Sequence, residues 1–164
     1  MKRGINRGVE LKVAYTSGDF RAYGNIAWAK QQGTNIVSNQ FLFGQAELDY
    51  IATHWIYTDH TQLWTGSAGM SYLWQGTRFS GDMIFGSGQR NGPVNSSHLP
   101  AYTQFNASVS HEFKIPDWKP VTLRFAVVNV FDNIYEIRDG TGIGVFAPQF
   151  GPRRAFLITL TQKL

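Results

Sequence analysis

Cysteine is absent from all 164 residues, which excludes a disulfide scaffold, a thiolate metal site and a cysteine nucleophile together. Charge is also scarce. Fifteen Lys+Arg and 11 Asp+Glu make up 16% of the chain, against roughly 25% in soluble domains, so disorder driven by charge is excluded. No run approaches 18 consecutive apolar residues, which rules out a membrane-crossing helix but leaves crossing by strands open. No apolar stretch of signal-peptide length follows the basic residues Lys2, Arg3 and Arg7. Either a cytosolic chain or a mature or truncated piece is therefore expected. The histidines, His54, His60, His98 and His111, are at least six positions apart, none in a His-x-x-x-His spacing, so structural roles are expected and no metal site. No Gly-x-Ser-x-Gly elbow occurs, and no residue supports an enzyme reading. Gly140-Thr141-Gly142-Ile143-Gly144 neither follows a buried strand nor opens a helix, which argues for a surface loop and against a nucleotide or other cofactor. Arg153-Arg154 is too short for a nucleic-acid footprint, and the net charge of +4 is not clustered.

What is abundant is bulk and bend: 12 Phe, 7 Tyr, 5 Trp and 17 Gly, a mixture that suits all-β architecture. Period-2 alternation runs through the chain. From Gln62 to Trp74, Trp64, Gly66, Ala68, Met70, Tyr72 and Trp74 share one face, and Thr65, Ser67, Gly69, Ser71 and Leu73 share the other. Val9, Leu11, Val13 and Tyr15 alternate with Glu10, Lys12, Ala14 and Thr16. Further strands follow through Phe20–Trp28, Phe79–Phe85, Phe105–Phe113, Leu123–Val127 and Phe156–Leu164. That makes seven. Their connections alternate between short turns near 17–19, 75–77 and 115–120 and long ones near 33–60, 88–101 and 132–152. Long loops therefore collect on one rim. Within the first, Phe43–Ile56 has the spacing of a helical turn or two, with Leu48, Ile51, Trp55 and Ile56 near one face.

A soluble β-sandwich, for instance a carbohydrate- or ligand-binding module, would alternate too. Strand length separates the readings, because soluble strands run about five or six residues and a bilayer needs about 9 to 11. The strands here read as about 10 to 13 residues. Trp64 and Trp74 are separated by about 33 Å of strand, or roughly 24 Å along the membrane normal at a 45° tilt, near the roughly 25 Å between the aromatic girdles of an outer-membrane barrel. Trp28, Trp64, Tyr72, Trp74 and Phe79 are accordingly expected in an aromatic belt against lipid. Arg21, Asn25, Arg78, Asp82, Glu112 and Arg124 occupy polar mid-strand positions suited to a hydrated lumen.

Particular words are also present. Asp59-His60-Thr61-Gln62, Gly69-Met70-Ser71-Tyr72, Gly76-Thr77-Arg78, Gly86-Ser87-Gly88-Gln89-Arg90 and Leu99-Pro100-Ala101-Tyr102 occur in that order. Leu123-Arg124-Phe125 leads to Asn129-Val130-Phe131-Asp132-Asn133-Ile134-Tyr135-Glu136-Ile137-Arg138-Asp139-Gly140, and Gly144 to Arg154 precedes a terminal strand. From residue 8 to 164 the chain resembles the C-terminal barrel half of TonB-dependent outer-membrane receptors. The resemblance implies an antiparallel up-and-down transmembrane β-barrel in the bacterial outer membrane, about 22 strands with a plugged lumen. Residues 1–164 would form its C-terminal part, about a third of the wall. A self-contained eight-stranded barrel would need a further strand from residues 1–8, a segment too short and too polar.

The same resemblance implies uptake of a scarce nutrient such as a ferric siderophore. The implied partners are outer-membrane lipid, the missing barrel and plug segments, the TonB complex through that plug, and the barrel-assembly machinery. That machinery would read the last strand, Phe156, Ile158, Leu160 and Leu164, where the family usually ends in an aromatic residue. A ligand site is expected on the long-loop rim, where loops carry recognition, at Tyr135, Arg138, Asp139, Phe146, Gln149 and Phe150.

Overall fold

A computed structural model of the chain describes residues 3–35, 44–58, 60–140 and 147–162. Its elements are β1 (Arg3–Ser17), β2 (Phe20–Thr34), α1 (Gln45–Thr53), β3 (Ile56–Tyr57), β4 (Trp64–Trp74), β5 (Thr77–Gly86), β6 (Arg90–Asn91), β7 (Ser97–His98), β8 (Tyr102–Phe113), β9 (Val121–Val128), β10 (Glu136–Arg138), β11 (Gln149–Phe150) and β12 (Ala155–Gln162). The seven expected strands are the seven long ones. They pair as a meander in the order β1-β2-β4-β5-β8-β9-β12, every junction antiparallel, with β3 added beside β2. β1 and β12 are edges, and the sheet does not close on itself.

Register keeps the apolar set on one side across the whole sheet, because a slip of one residue would invert every side chain. Phe20, Tyr72, Phe79, Val109, Phe125 and Ile158 form one cross-strand row. Above it run Ala22, Met70, Gly81 and Ala107, and near the long-loop rim Trp28 faces Trp64. We call this side outward. A shallow groove of about 820 Å³ crosses it where Ala22, Gly81 and Ala107 lie among Met70, Tyr72 and Phe79. Among the described residues none covers it: Met70 is 62% exposed and Tyr72 50%. The sandwich alternative fails here, since it requires a second sheet packed on this face.

The structure revises several boundaries. The long strands span 8 to 15 residues rather than 10 to 13. β1 starts at Arg3, six residues before the alternation does, because β2 continues to Thr34 and Arg3–Gly8 pair with Ala29–Thr34. Backbone groups need partners whatever the side chains are. Those residues prolong β1 and add no eighth strand. The helical turns expected within Phe43–Ile56 are α1, but only part of the expected face belongs to it: Ile51 is buried and Leu48 exposed on the helix, whereas Trp55 and Ile56 lie beyond its end.

The long-loop rim carries a small cap. α1 starts where the Gly44 N–H donates to the Glu47 carboxylate at 2.8 Å, and the Asn35 N–H donates to the Ile51 carbonyl at 2.9 Å. The buried Asn95 donates to the Tyr57 carbonyl at 3.0 Å. Gly88 fixes the loop's path: its φ is +88°, and a Cβ there would lie 1.8 Å from the Leu99 carbonyl oxygen. No L side chain fits. Gly88→Ala is expected to cost about 1–3 kcal/mol and to open residues 87–101 to limited proteolysis, with unchanged cleavage as the contrary result.

Candidate functional site at the inner face and long-loop rim

The second face of the sheet is polar by the same alternation. Arg78, Ser110 and Arg124 lie in one cross-strand row, and Arg21 and Ser71 in the next. Arg78 donates to the Ser71 hydroxyl at 3.1 Å and Arg124 to the Ser108 hydroxyl at 3.2 Å. Asn25 accepts from the Ser67 N–H at 3.0 Å, and Glu112 is register-paired with Thr122. All six residues expected at the lumen thus share one face, with three guanidiniums spread among hydroxyls.

Nearer the long-loop rim the wall becomes a directional chain of amides. The Asp82 carboxylate can only accept, so Asn106 turns its Nδ2 towards it, at 2.7 Å. That leaves the Asn106 Oδ1 to accept from Gln104 at 2.8 Å and from the Asn129 N–H at 3.0 Å. The Gln104 Oε1 in turn accepts from the Tyr135 hydroxyl at 2.8 Å. Gln104 is buried, Asn129 completely so.

Asn129 begins a clasp that folds the last long loop onto the wall. Its φ is +52° and that of Asp132 is +53°, a region Asn and Asp tolerate better than most residues. Its side chain donates to the Asn133 and Pro152 carbonyls at 2.9 and 2.8 Å and accepts from the Asn133 N–H at 3.0 Å. Asp132 receives a two-pronged contact from the Arg153 guanidinium and one from the Arg154 N–H at 2.9 Å. The Arg153 hydrogen bond, then the Arg154 N–H, hold the Asp132 carboxyl well below the usual carboxylate range.

The residues expected to bind ligand gather beside this clasp. Tyr135 uses both of its ends: its ring stacks on Tyr102 at 4.4 Å between centroids, its hydroxyl is committed to Gln104, and burial pushes its pKa up. A Cβ on Gly151 would lie 2.0 Å from the Tyr135 ring, so that glycine is what lets the ring lie flat. Arg138 pairs in register with Gln149 across the β10–β11 hairpin, which also carries Phe150, 56% exposed. Asp139 accepts from Asn91 at 2.8 Å, linking this hairpin to β6. Phe146 lies outside the described residues.

On the outward face the five belt residues fall at two levels: Trp28 and Trp64 near the long loops, Tyr72, Trp74 and Phe79 near the short turns. Phe156, Ile158 and Leu160 project from the edge strand on that same face, and Leu164 lies outside the described residues. Among the described residues no three His, Cys, Asp or Glu side chains gather into a metal-binding group.

The family model described as TonB dependent receptor-like, beta-barrel matches residues 2–130. The chain belongs to that family. It is a family of receptor barrels, not of enzymes, and its members reside in the outer membrane. No curated protein sequence matches the chain. Among solved structures, the siderophore receptor PiuA from Acinetobacter baumannii is similar over 96% of this chain, with a TM-score of 0.70 and 10% identity. The ferric citrate transporter FecA is similar over 94%, at 0.58 and 17%. BauA, the ferric preacinetobactin receptor from Acinetobacter baumannii, is similar over 93%, at 0.57 and 13%. These likenesses concern fold. The chain spans 21%, 30% and 26% of those three receptors.

Gln104, Asn106, Asn129, Asn133 and Arg153 were not singled out as site residues from sequence, although Asn129, Asp132 and Asn133 stand within the words that carry the family resemblance. Their usable signal is the cluster of Asn and Asp just after a strand, where left-handed backbone is tolerated. Asn129→Ala should strand its buried partners, costing about 1–3 kcal/mol, and release the 129–154 loop to proteolysis. Because the Asp132 pKa is lowered on folding, its contribution is present above the ordinary value of 3.8 and lost as pH falls below it. The protection of the Arg154 amide, its exchange relative to the intrinsic rate at the same pH, should therefore fall in acid in the wild type and be lowered already at neutral pH in Asp132→Asn. Equal exchange in both proteins at neutral pH would contradict the clasp.

Proposed function

We propose that residues 1–164 form the C-terminal wall of an outer-membrane TonB-dependent transporter that imports a scarce nutrient such as a ferric siderophore, and that this wall does not transport alone. The observation that carries the reading is two-sidedness with open edges. An apolar, aromatic face backs onto a polar face rich in guanidinium, amide and hydroxyl groups, and the sheet ends at β1 and β12 with backbone groups unpaired. In hydrocarbon each such group costs several kcal/mol.

Strand direction says what must meet those edges. β1 and β12 both run from the long-loop rim to the short-turn rim. Joining them directly, or joining β12 of one copy to β1 of another in the same orientation, makes a parallel junction. Inverting one copy would put its long loops on the wrong side of the membrane. All-antiparallel closure needs an odd number of further strands, which agrees with the even counts of bacterial single-chain barrels.

In this reading the plug and the remaining wall come from other sequence, TonB acts through that plug, and the barrel-assembly machinery reads β12. The ligand meets the long-loop rim at Arg138, Asp139, Gln149 and Phe150, with Tyr135 and its clasp holding that hairpin in place. Arg21, Asn25, Arg78, Asp82, Glu112 and Arg124 line the hydrated lumen.

Two measurements test this. Expressed in a receptor-deficient strain, the chain should support no ferric siderophore uptake, and uptake at receptor-like rates would overturn the partial-wall reading. Ala107→Arg, on the outward face, should cost about 2–4 kcal/mol of membrane stability, whereas Ser108→Arg on the inner face should insert into vesicles as the wild type does. Equal effects at the two positions would refute the assignment of faces.

A further inference from the structure

The outward face does not stay apolar above its upper aromatic row. Trp28 is register-paired with Val9 on one side and Trp64 on the other. Two residues further along the strands, Arg7 faces Lys30 on the same outward side, and beyond them Arg3 faces Thr34. Two residues of strand are about 6.6 Å, or roughly 5 Å along the membrane normal at a 45° tilt. Aromatic belts lie at the headgroup level, so these cations stand just above it.

The register partner of Gln32 on β3 is Tyr57, which shares that face. The Arg90 guanidinium lies 3.7 Å from the centroid of the Tyr57 ring, and the Lys30 ammonium is 5.7 Å from it. One ring thus gathers two cations from β2 and β6, and Lys30 has a third directly opposite it on β1. Like charges opposite one another across a sheet are destabilising unless an anion lies between or above them. Among the described residues no carboxylate pairs with Arg3, Arg7, Lys30 or Arg90, and no acceptor takes the Arg90 guanidinium N–H groups. A guanidinium stacked on a ring keeps its in-plane donors free for phosphate oxygens.

We infer that Lys30 and Arg90, gathered on the Tyr57 ring, and Arg7, opposite Lys30 across the β1–β2 pair, form a binding site for the phosphate of an anionic lipid headgroup in the leaflet on the long-loop side. This rests on the membrane placement proposed above. Facing lipid rather than lumen, and standing just beyond Trp28 and Trp64, the three cations meet headgroups before they meet any soluble anion. Each basic residue near an anionic surface adds attraction that salt screens. Arg3, further up, extends the same field.

Vesicle binding by the full chain tests the site. Protease-protected, vesicle-bound chain is measured on phosphatidylcholine alone and on phosphatidylcholine containing phosphatidylglycerol, for the wild type, for Arg7→Gln/Lys30→Gln/Arg90→Gln, and for Lys12→Gln/Lys114→Gln/Lys119→Gln, which removes equal charge elsewhere. The wild type and the second variant should bind vesicles containing phosphatidylglycerol roughly tenfold better or more, and the first variant should lose most of that preference while inserting normally into neutral vesicles. A preference unchanged in the first variant, or lost equally in both, overturns the site and leaves the membrane reading standing. Inorganic phosphate producing the same gain on neutral vesicles would mean a free-anion site and overturn the lipid assignment. Failure of the wild type to prefer vesicles containing phosphatidylglycerol overturns the site and leaves the partial-wall reading standing.

Discussion

A backbone in hydrocarbon has nowhere to place its N–H and C=O groups except on neighbouring strands, and that demand organises this chain. Every long strand meets it through continuous antiparallel registers, such as the fifteen pairs between β1 and β2. Side chains are then free to divide by parity alone, apolar outward and polar inward. Among the described residues the outer edges of β1 and β12 have no neighbouring strand, and in the proposed reading those edges are where the wall continues.

Parity also gives the two faces different chemistry without any buried core. Met70, Phe79 and Phe125 present apolar surface on one face, whereas Arg78, Arg124 and Asp82 present charge and hydrogen-bonding groups on the other. Among the described residues the three most deeply buried non-glycine residues sit at the long-loop rim: Ile51 and Leu99 under the cap, and Asn129 in the clasp. The loops carry their own order there, since the polar chain from Asp82 through Asn106 and Gln104 to Tyr135 ties the mouth to the wall. Residues that face a ligand at such a rim can be positioned by others that never touch it.

How much of this could be read in the sequence follows from the range of the interactions. Strand parity is local: Trp64 and Ser67 fall on opposite faces because successive side chains alternate, so the seven strands and both faces were legible. The starting point of β1 was not, because Arg3–Gly8 are held by backbone pairing that leaves no trace in polarity. The clasp was illegible for another reason. Asn106 meets Asn129, and Asp132 meets Arg153, across more than twenty residues, and no periodicity encodes such a meeting. Tyr135 is a further instance: its aromatic and polar character suggests ligand contact, and the structure adds that its ring and its hydroxyl engage Tyr102 and Gln104 on β8.

Because the chain has no cysteine, single cysteines at residues 66 to 73 would each be the only thiol present. With the chain inserted in vesicles, water-soluble maleimide labelling on the lumen side should reach positions 67, 69, 71 and 73, while lipid-borne quenchers should reach probes at 66, 68, 70 and 72. That strict alternation is the result this account requires. Uniform labelling along the strand, or quenching of both sets alike, would contradict it.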